Sequence, residues 1–578
     1  MHDMKLSEAL RHLHAPIPGD ATPFSVYLAC GITPLHLETF MRAHLRRLLP
    51  DRDVRVGKGL FGDLLGSLAA AKVESPHAAV VVVEPQDLDP RLGIRQPGSW
   101  NQDALADVAA GLRARVDLLR SRLEALAASA PVALALGTLP LPPAGRCPPW
   151  VADQVEIAFD AELDRLRAWA VTAPGVRLLS RRRLDLASPP HARLDPSADL
   201  ATGCPYTLEH AEALAALLAR LAASVPPKKA IITDLDDTLW LGIVGEDGPE
   251  NVKWDLDGHA QLHGLYQLVL SALSEGGTLV AVASRNDPRV VESAFARRDI
   301  LLRSESIFPF QVNWGPKSSS VAEILRRWNI SAADTVFIDD SPMELAEVQA
   351  AHPAIECLLF PKGDAAGALR LLETLRERCG KASVTAEDRL RQASLRQAEA
   401  SAVEAGAEGM SEEFLARAEA VVTFDYRKDP ADQRPLELIN KTNQFNLNGR
   451  RISEVEWRRH LEDPGAVTLV VSYRDRFGPL GKIAVLVGRV DGKTFRSDAW
   501  VMSCRAFARR IEYHVLSELF DRFGVDSLSL DYRETDRNGP VRDFLASLQI
   551  DPAGAAVLSQ GSFQATCPAF YHAKETAA

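Results

Sequence analysis

Apolar and polar positions follow three successive patterns along this chain. From residue 1 to about 222, short apolar runs alternate with longer stretches of helical period: FSVYLACG, LETFMRAHLRRLL, AAVVVVEPQ, ADVAAGLRARVDLLRSRLEALAA and VALALGT. Short apolar runs are typical of buried strands, and the longer stretches are typical of amphipathic helices. Strands that alternate with helices predict a parallel α/β sheet in this region.

The same alternation returns between about 226 and 375, after the break SVPPKKA, which predicts a domain boundary. Its predicted elements are strand AIITDLD, helix HAQLHGLYQLVLSALSEGG, strand TLVAVASRND, helix PRVVESAFARR, strand ESIFPFQVNW, helix SSSVAEILRRWNI and strand TVFIDD. Asp287 before Pro288 predicts a helix start, because Asp is a good N-cap and Pro suits the first helical position. A second parallel sheet is expected here.

A different pattern begins near residue 420. Strand candidates AVVTFDYR, AVTLVVSYRDRFG, KIAVLVGRV, FRSDAWVMSCR and SLSLDYRE are interrupted by helices that contain LELINKTNQF and AFARRIEYHVLSELFDRFG. Antiparallel strands broken by one long helix predict an α+β domain. The Ala/Glu-rich segment 380–420 is expected to be a helical connector.

Composition narrows the functional classes. The 578 residues are enough for three or four domains of about 150 residues each. A net charge of -11 argues against nucleic acid or an anionic membrane as the main partner. The chain shows no apolar signal core and no run of about 20 apolar residues, so a cytoplasmic location is expected. Seven cysteines without C-x-x-C spacing predict neither a zinc site nor a disulfide framework.

The candidate chemistry lies at the predicted strand ends of the middle segment. These groups are Asp234 with Asp236 and Thr238, then Ser284, then Lys317, and then Asp339 with Asp340. Carboxyl ends of parallel strands converge on one crevice. The set supplies a carboxylate nucleophile, a second carboxylate for proton transfer, a hydroxyl, a cation and hard oxygen ligands that favour Mg2+. Asp237 is equally well explained as a turn residue, and Lys317 taken alone as a surface lysine.

Together these motifs resemble the four signature motifs of the haloacid dehalogenase superfamily of phosphatases. The resemblance implies that Asp234 attacks phosphorus and that Asp236 protonates the leaving oxygen and then activates water. It also implies phosphoryl binding by Ser284 and Lys317, supported by Thr238, Arg285 and Asn286, and a Mg2+ site formed by Asp234, Asp236, Asp339 and Asp340. Asp236 would contribute its carbonyl oxygen. Only one loop and one helix separate Asp234 from Ser284, which leaves no room for a large cap domain.

The chain resembles the FkbH-like branch of this superfamily at DLDDTLWLGIVGEDG, ASRND, NWGPKS and FIDDSPMELAEV. It resembles the partner domain of that branch at INKTNQFNLNGRR, YRDRFGPLGKI, MSCRAFARRIE and YRETDRNGPVRDFL. The resemblance implies an N-terminal degenerate SGNH-like α/β domain (1–224), a Rossmann-like haloacid dehalogenase domain (225–378), a helical connector (379–420) and a C-terminal GNAT-like α+β domain (421–578). Members of that family take D-1,3-bisphosphoglycerate, transfer the glyceryl group to a phosphopantetheinylated acyl carrier protein for polyketide extension and release phosphate.

Candidate residues for acyl transfer lie in the C-terminal segment. Cys504 is the candidate thiol, since a helix N-terminus and nearby arginines, including Arg505, would lower its pKa; a small buried hydrophobe is the competing interpretation. Lys441, Asn443 and Gln444 belong to a polar run that suits either glyceryl or pantetheine binding or a capping network. Leu235 stands where relatives carry a cysteine between the first two motif aspartates.

Two alternatives remain open at this point. One is a haloacid dehalogenase phosphatase of a phosphorylated acyl or sugar group, with flanking recognition domains. The other is a non-catalytic scaffold for a carrier protein, which the complete set of motifs disfavours. In the first segment, His210 and the region of Asp195 resemble the Asp/His pair of SGNH hydrolases, but no serine follows the first strand, where Cys30 and Gly31 stand instead.

Overall fold

The computed structural model describes residues 4–19, 21–96, 102–141, 147–152, 154–256, 259–382, 384, 388, 395, 412–442, 444–476, 478–503, 506, 509–535, 538–550 and 556–577. The chain divides into two compact units. The first unit contains residues 1–226 with 453–455, and the second contains 227–452 with 456–578. This division falls close to the boundary expected near residue 224; the finer division of the second unit into separate domains stays a prediction.

A five-stranded parallel sheet of order β2-β1-β3-β4-β5 forms the centre of the first unit. Its strands are β1 (Thr22–Ala29), β2 (Arg52–Lys58), β3 (Ala78–Val83), β4 (Val132–Leu136) and β5 (Val176–Leu178). Its helices are α1 (Leu6–His14), α2 (Leu35–Leu48), α3 (Leu64–Glu74), α4 (Pro85–Leu88), α5 (Gln102–Ala127), α6 (Gln154–Thr172), α7 (Arg181–Ala187), α8 (Pro196–Thr202) and α9 (Leu208–Ala223).

Both faces of this sheet are covered by helices. Val26 and Leu28 of β1 pack into a core with α2 and α9, whereas Tyr27 and Ala29 pack into a second core with α3, α5 and α6. Every residue of β3 is buried, which explains its unbroken apolar run. The predicted parallel α/β sheet is confirmed.

The middle segment forms a second parallel sheet, of order β10-β9-β6-β7-β8. Its strands are β6 (Ala230–Thr233), β7 (Leu279–Ser284), β8 (Phe310–Val312), β9 (Thr335–Asp339) and β10 (Glu356–Leu359). Its helices are α10 (Val244–Asp247), α11 (Gln261–Glu275), α12 (Pro288–Phe295), α13 (Lys317–Trp328), α14 (Pro342–Ala351) and α15 (Ala365–Cys379).

Alternating side chains of β6 enter different cores here as well. Ile231 packs with α11, α12 and α15, and Ile232 packs with α13 and α14. The Asp287 side chain accepts a hydrogen bond from the backbone N–H of Arg289 at 2.9 Å, so the predicted cap of α12 is present. Between β6 and α11 the described residues contain turns and the one-turn α10 and no cap domain.

The C-terminal part forms an eight-stranded mixed sheet of order β17-β16-β15-β14-β13-β11-β18, with β12 paired to β15. Its strands are β11 (Val421–Asp425), β12 (Phe445–Asn446), β13 (Ala466–Asp475), β14 (Gly478–Asp491), β15 (Thr494–Met502), β16 (Ser527–Leu530), β17 (Ala556–Ser559) and β18 (Ala573–Thr576). The helices in this part of the sequence are α16 (Glu412–Arg417), α17 (Arg434–Lys441), α18 (Glu454–Glu462), α19 (Ile511–Phe523), α20 (Gly539–Ser547) and α21 (Gln560–Thr566).

Two predicted helices in this part are shorter than expected. The helix through LELINKTNQF ends at Lys441, and Phe445 then pairs with Met502 of β15, since the Thr/Asn-rich run competes with helical hydrogen bonds. The helix predicted to begin near 506 begins at Ile511, after Arg510 takes a left-handed φ of 60°. Most of the connector predicted at 379–420 lies outside the described residues.

No helix among the described residues is both long enough and apolar enough to cross a membrane.

Candidate functional site

An acidic group lies at the carboxyl edge of the middle sheet. Strands β6 and β9 are neighbours, with Thr233 opposite Ile338, so Asp234 and Asp339 leave the sheet side by side. Carboxylate oxygens of Asp234, Asp339 and Asp340 lie within 4.8 Å of one another. Three hard oxygen donors at this spacing fit a divalent cation such as Mg2+, with Asp234 and Asp339 buried and Asp340 half-buried.

Lys317 supplies the cation inside this group. It is the first residue of α13, and its Nζ lies 2.9 Å from Asp234 Oδ1 and 2.5 Å from Asp339 Oδ2. Burial raises the pKa of Asp234, with Lys317 opposing and Asp339 adding to the rise; burial likewise raises the pKa of Asp339 against the effect of Lys317. The pKa of Lys317 is itself raised, because the two carboxylates outweigh its burial. A lysine that binds two buried carboxylates is also placed to neutralise a phosphoryl group.

Asp236 has a different environment from the other aspartates. Its Oδ1 accepts hydrogen bonds from Trp240 Nε1 at 2.9 Å and from the Val244 N–H at 3.0 Å, and its Oδ2 accepts one from Asn286 Nδ2 at 2.9 Å. These three donors fix the carboxylate outside the metal group formed by the other three aspartates. Any metal contact by Asp236 therefore rests on the predicted carbonyl oxygen.

The motif at the end of β7 borders the same edge. Asn286 Nδ2 also donates to Ser284 Oγ at 3.2 Å, and both side chains are buried. Arg285 is 41% exposed; its guanidinium lies 3.0 Å from Glu344 Oε1, and its Nε donates to the Gly315 carbonyl at 3.3 Å. The structure thus connects Ser284 and Asn286 to Asp236, and leaves Arg285 at the rim.

Thr238 does not line the edge as an exposed phosphate ligand. Its side chain is completely buried, and its hydroxyl donates to Asp340 Oδ1 at 3.4 Å. His263 of α11, which sequence reasoning missed, is hydrogen bonded through Nδ1 to the Thr238 carbonyl at 2.9 Å. Burial lowers the pKa of His263, which favours its neutral form. Both residues orient the strand end behind the carboxylates.

A second lysine at this edge was also missed. Lys362 Nζ lies 2.5 Å from Asp340 Oδ2 and 2.8 Å from Asp237 Oδ2. Asp237 in turn accepts from the Gly242 N–H at 2.9 Å and has a left-handed φ of 53°, which accords with its interpretation as a turn residue. The only sequence signal for Lys362 was its place just after a strand of the same sheet.

The C-terminal candidates are held by protein contacts. Lys441 Nζ lies 3.4 Å from Glu437 Oε2 on the preceding turn of α17. The side-chain amide of Gln444 exchanges two hydrogen bonds with that of Asn329, at 2.7 and 2.8 Å. Asn446 donates to the Thr442 carbonyl and accepts from the Gly449 N–H. These contacts form a polar network within the protein, and the predicted glyceryl or pantetheine binding by Lys441 and Gln444 stays a prediction.

Asn443, Cys504 and Arg505 lie outside the described residues, so their predicted roles stay predictions. Two neighbouring arginines are described. Arg509 is 4% exposed and lies over the Tyr473 ring, and Arg510 donates to the Ala569 carbonyl at 3.1 Å. Arg510 has the left-handed φ that a glycine would adopt without strain.

The carboxyl edge of the first sheet carries a buried polar network. Glu84 accepts hydrogen bonds from the hydroxyls of Thr138 and Tyr206 and from the backbone N–H groups of residues 138 and 139. His210 is hydrogen bonded to Ser188 Oγ at 2.9 Å and to Thr138 Oγ1 at 3.1 Å. Asp195 instead caps α8 by accepting from the Ala198 N–H at 3.0 Å, and the described hydrogen bonds of His210 go to other residues, so the resemblance to an Asp/His pair does not extend to these contacts.

Comparison with models of known protein families finds no match, and comparison with curated proteins finds none. Among solved structures, the chain is similar to the N-terminal part of protein BF1531 from Bacteroides fragilis, which contains a phosphatase domain and was crystallised with Mg. The TM-score is 0.53 at 20% identity, over 66% of this chain and 99% of that one. This likeness shows a shared fold.

Two further similarities carry no argument. An uncharacterized protein from Corynebacterium glutamicum matches at 14% identity over 27% of this chain and 98% of its own, with a TM-score of 0.19. A protein from Listeria monocytogenes that is described as a UDP-N-acetylglucosamine 2-epimerase matches at 10% identity over 66% of this chain and 96% of its own, with a TM-score of 0.16.

Proposed function

We propose that this protein is a Mg2+-dependent phosphatase or phosphotransferase that forms a phosphoaspartyl intermediate on Asp234. The observation that carries the proposal is the group of Asp234, Asp339 and Asp340 with Lys317 bound between the first two. The Mg2+-bound phosphatase domain of BF1531, which shares the fold, supports the same reaction class.

In this proposal each side chain has one part in the reaction. Asp234 attacks phosphorus and forms the new P–O bond, while the bond from phosphorus to the leaving oxygen breaks and that oxygen takes a proton from Asp236. Lys317 and Ser284 bind the phosphoryl oxygens. A Mg2+ ion held by Asp234, Asp339 and Asp340 would supply further charge neutralisation. Asp236 then takes a proton from the water that hydrolyses the intermediate.

Trapping the intermediate tests this function. Wild-type protein incubated with Mg2+ and [32P]acetyl phosphate, then quenched in acid, should carry a label that hydroxylamine removes, as expected of an acyl phosphate. Asp234→Asn should carry no label, and Asp334→Asn is a matched control because Asp334 precedes β9 at the opposite edge and pairs with Lys229. Label that persists in Asp234→Asn would contradict the proposed nucleophile.

The finer proposal rests on the FkbH-like motifs. In it the phosphorylated substrate is D-1,3-bisphosphoglycerate and the glyceryl group passes to a phosphopantetheinylated acyl carrier protein, with Cys504 as the thiol. Phosphate release without acyl transfer is the second candidate. It is favoured by Leu235, which is completely buried and stands where relatives carry a cysteine.

Intact-mass measurement separates the two candidates. The protein is incubated with 1,3-bisphosphoglycerate, Mg2+ and holo-carrier protein, and the carrier is weighed. A glyceryl adduct that disappears in Asp234→Asn or Cys504→Ala supports loading of the carrier protein. Free phosphate with an unmodified carrier supports the simple phosphatase. The absence of both free phosphate and a glyceryl adduct would favour a non-catalytic scaffold.

A further inference from the structure

Lys362 occupies an unusual position for a half-exposed lysine. It lies in the loop that follows β10, outside the four motifs, and its side chain remains 51% exposed. Its ammonium nevertheless bonds to two carboxylates of the acidic edge, Asp237 and Asp340. Fixing the long side chain between two carboxylates costs conformational entropy.

The loop that carries Lys362 is anchored by a backbone hydrogen bond and by a ring contact, both made by Phe360. The Phe360 N–H donates to the Asp339 carbonyl at 2.8 Å, and the Phe360 side chain is only 3% exposed. Its ring stacks on His263 with centroids 4.9 Å apart. Gly363 then turns the chain with a left-handed φ of 71°. These contacts hold the backbone of Lys362 within reach of the acidic edge.

The two lysines of the edge bind different carboxylates of the candidate metal group. Lys317 is buried and binds Asp234 and Asp339, where the transferred phosphoryl group would lie. Lys362 is more exposed than Lys317 and binds the third carboxylate of the group, that of Asp340. Asp340 also belongs to the candidate metal group, so a divalent cation would compete with Lys362 for Asp340 and leave Asp237 as the remaining carboxylate partner of the lysine.

Arg285, the other rim cation of this edge considered above, is differently placed. Its guanidinium is bound by Glu344 and by a backbone carbonyl, neither of which belongs to the metal group. Metal binding would not release it. Lys362 is therefore the better candidate to meet an anionic group that extends outward from the phosphoryl site.

We propose that Lys362 is a specificity-determining residue that binds a second anionic group, a carboxylate or a second phosphate, on the substrate whose phosphoryl group Asp234 accepts. This inference rests on the proposed function. It predicts that the natural substrate carries two separated anionic groups, and that Lys362 distinguishes it from simple phosphate esters by one hydrogen bond to a charged group.

Isothermal titration calorimetry in the presence of Mg2+ tests the inference with phosphonates that cannot be hydrolysed. Methylphosphonate has one anionic group, phosphonoacetate adds a carboxylate, and propane-1,3-diphosphonate adds a second phosphonate. Wild-type protein should bind at least one of the doubly anionic ligands about tenfold or more tightly than methylphosphonate. Lys362→Gln should lose that margin while its affinity for methylphosphonate changes by less than about threefold.

Two variants control for folding and for general charge. Lys362→Arg keeps a cation at the position and should retain most of the margin. Arg326→Gln removes an exposed charge from the far end of α13, where it pairs with Glu323, and should retain all of it. The ligand that shows the margin identifies the second group as a carboxylate or a phosphate.

Other results would overturn the inference. Equal weakening of all three ligands by Lys362→Gln would mean that Lys362 serves the phosphoryl or metal site itself, and unchanged margins would mean that it binds no part of the ligand. Failure of the wild-type protein to bind any phosphonate would overturn the proposed function and this inference together, whereas the first two results would leave the proposed function standing.

Discussion

The carboxyl edges of the two parallel sheets differ in how their polar groups are satisfied. At the first sheet, Glu84 and His210 lie in a buried network of hydroxyls and backbone groups. At the middle sheet, three carboxylates converge around two lysines, and one hydroxyl and one backbone N–H are further donors to them. The donors satisfy the Glu84 carboxylate in place, whereas carboxylates that face each other repel, and a metal or a phosphoryl group can relieve that repulsion.

The pKa shifts express the same difference. At the first sheet, burial raises the pKa of Glu84 while Thr138 and Tyr206 oppose the rise, and burial lowers the pKa of His210 to about 3. His210 is therefore neutral near pH 7 and is a hydrogen-bond partner only. Shared topology thus does not imply shared chemistry: parallel strands bring polar groups together, and their partners decide whether these groups react.

The largest expected effect comes from removing the nucleophile. Asp234→Asn should lower kcat for acetyl phosphate by at least about a thousandfold, because an amide cannot attack phosphorus at a useful rate. Phosphate release measured with Mg2+ checks this. Asp334→Asn should remain within about twofold of the wild type. A rate within tenfold of the wild type in Asp234→Asn would place the chemistry elsewhere.

Metal removal should be nearly as severe. Excess EDTA should reduce phosphate release to below about 1%, and Mg2+ should restore it, because the acidic edge depends on a cation for its charge balance. Saturating Mg2+ at about 100 times its Kd should also add about 2.7 kcal/mol to the free energy of unfolding. Differential scanning calorimetry should show this gain in the wild type and a smaller one in Asp339→Asn. Undiminished activity in EDTA would refute the metal site.

Lys317→Met should affect both activity and stability. Two buried carboxylates would lose their cation, which we expect to cost about 3–5 kcal/mol of unfolding free energy and about a hundredfold in kcat/KM. Without the lysine the folded-state pKa values of Asp234 and Asp339 rise further above the unfolded values. The deficit relative to wild type should then grow as pH rises from 5.5 to 8, as measured by urea denaturation. A deficit that is constant with pH would count against this account.

The smallest effect on activity is expected in the first unit. Tyr206→Phe removes one hydroxyl donor from the buried Glu84 carboxylate and should cost about 1–3 kcal/mol of unfolding free energy. Phosphate release should stay within about twofold of the wild type. If the folded variant lost tenfold in activity, the network would be part of the catalytic apparatus and the contrast between the two edges would fail.

Much of the fold could be predicted from the sequence because the burial of a strand or helix face determines the spacing of its apolar residues. Strand β3 is buried on both faces and reads as one apolar run, and Asp287 with Pro288 marks a helix start locally. Other elements depended on distant partners. Phe445 became a strand because β15 offers it hydrogen bonds, and the parallel pairing of β11 with β18 joins segments far apart in sequence.

The candidate site was predictable to a similar extent. Asp234, Ser284, Lys317 and Asp339 were expected together because they follow strands of one predicted parallel sheet. Their partners were not predictable: the three donors to Asp236, the burial of Thr238 and the lysine at 362 arise from loops whose paths no local pattern specifies.

The sequence alone determined the order of strands and helices and the residues that supply the chemistry at the middle sheet, since both follow from local periodicity and strand-end position. Only the tertiary structure decided that the Asp236 carboxylate is held apart from the other three by its own donors, and that Lys362 reaches this edge. It also decided that the polar residues of the first sheet bind one another. Such pairings depend on side chains distant in sequence, and their geometry exists only after the chain has packed.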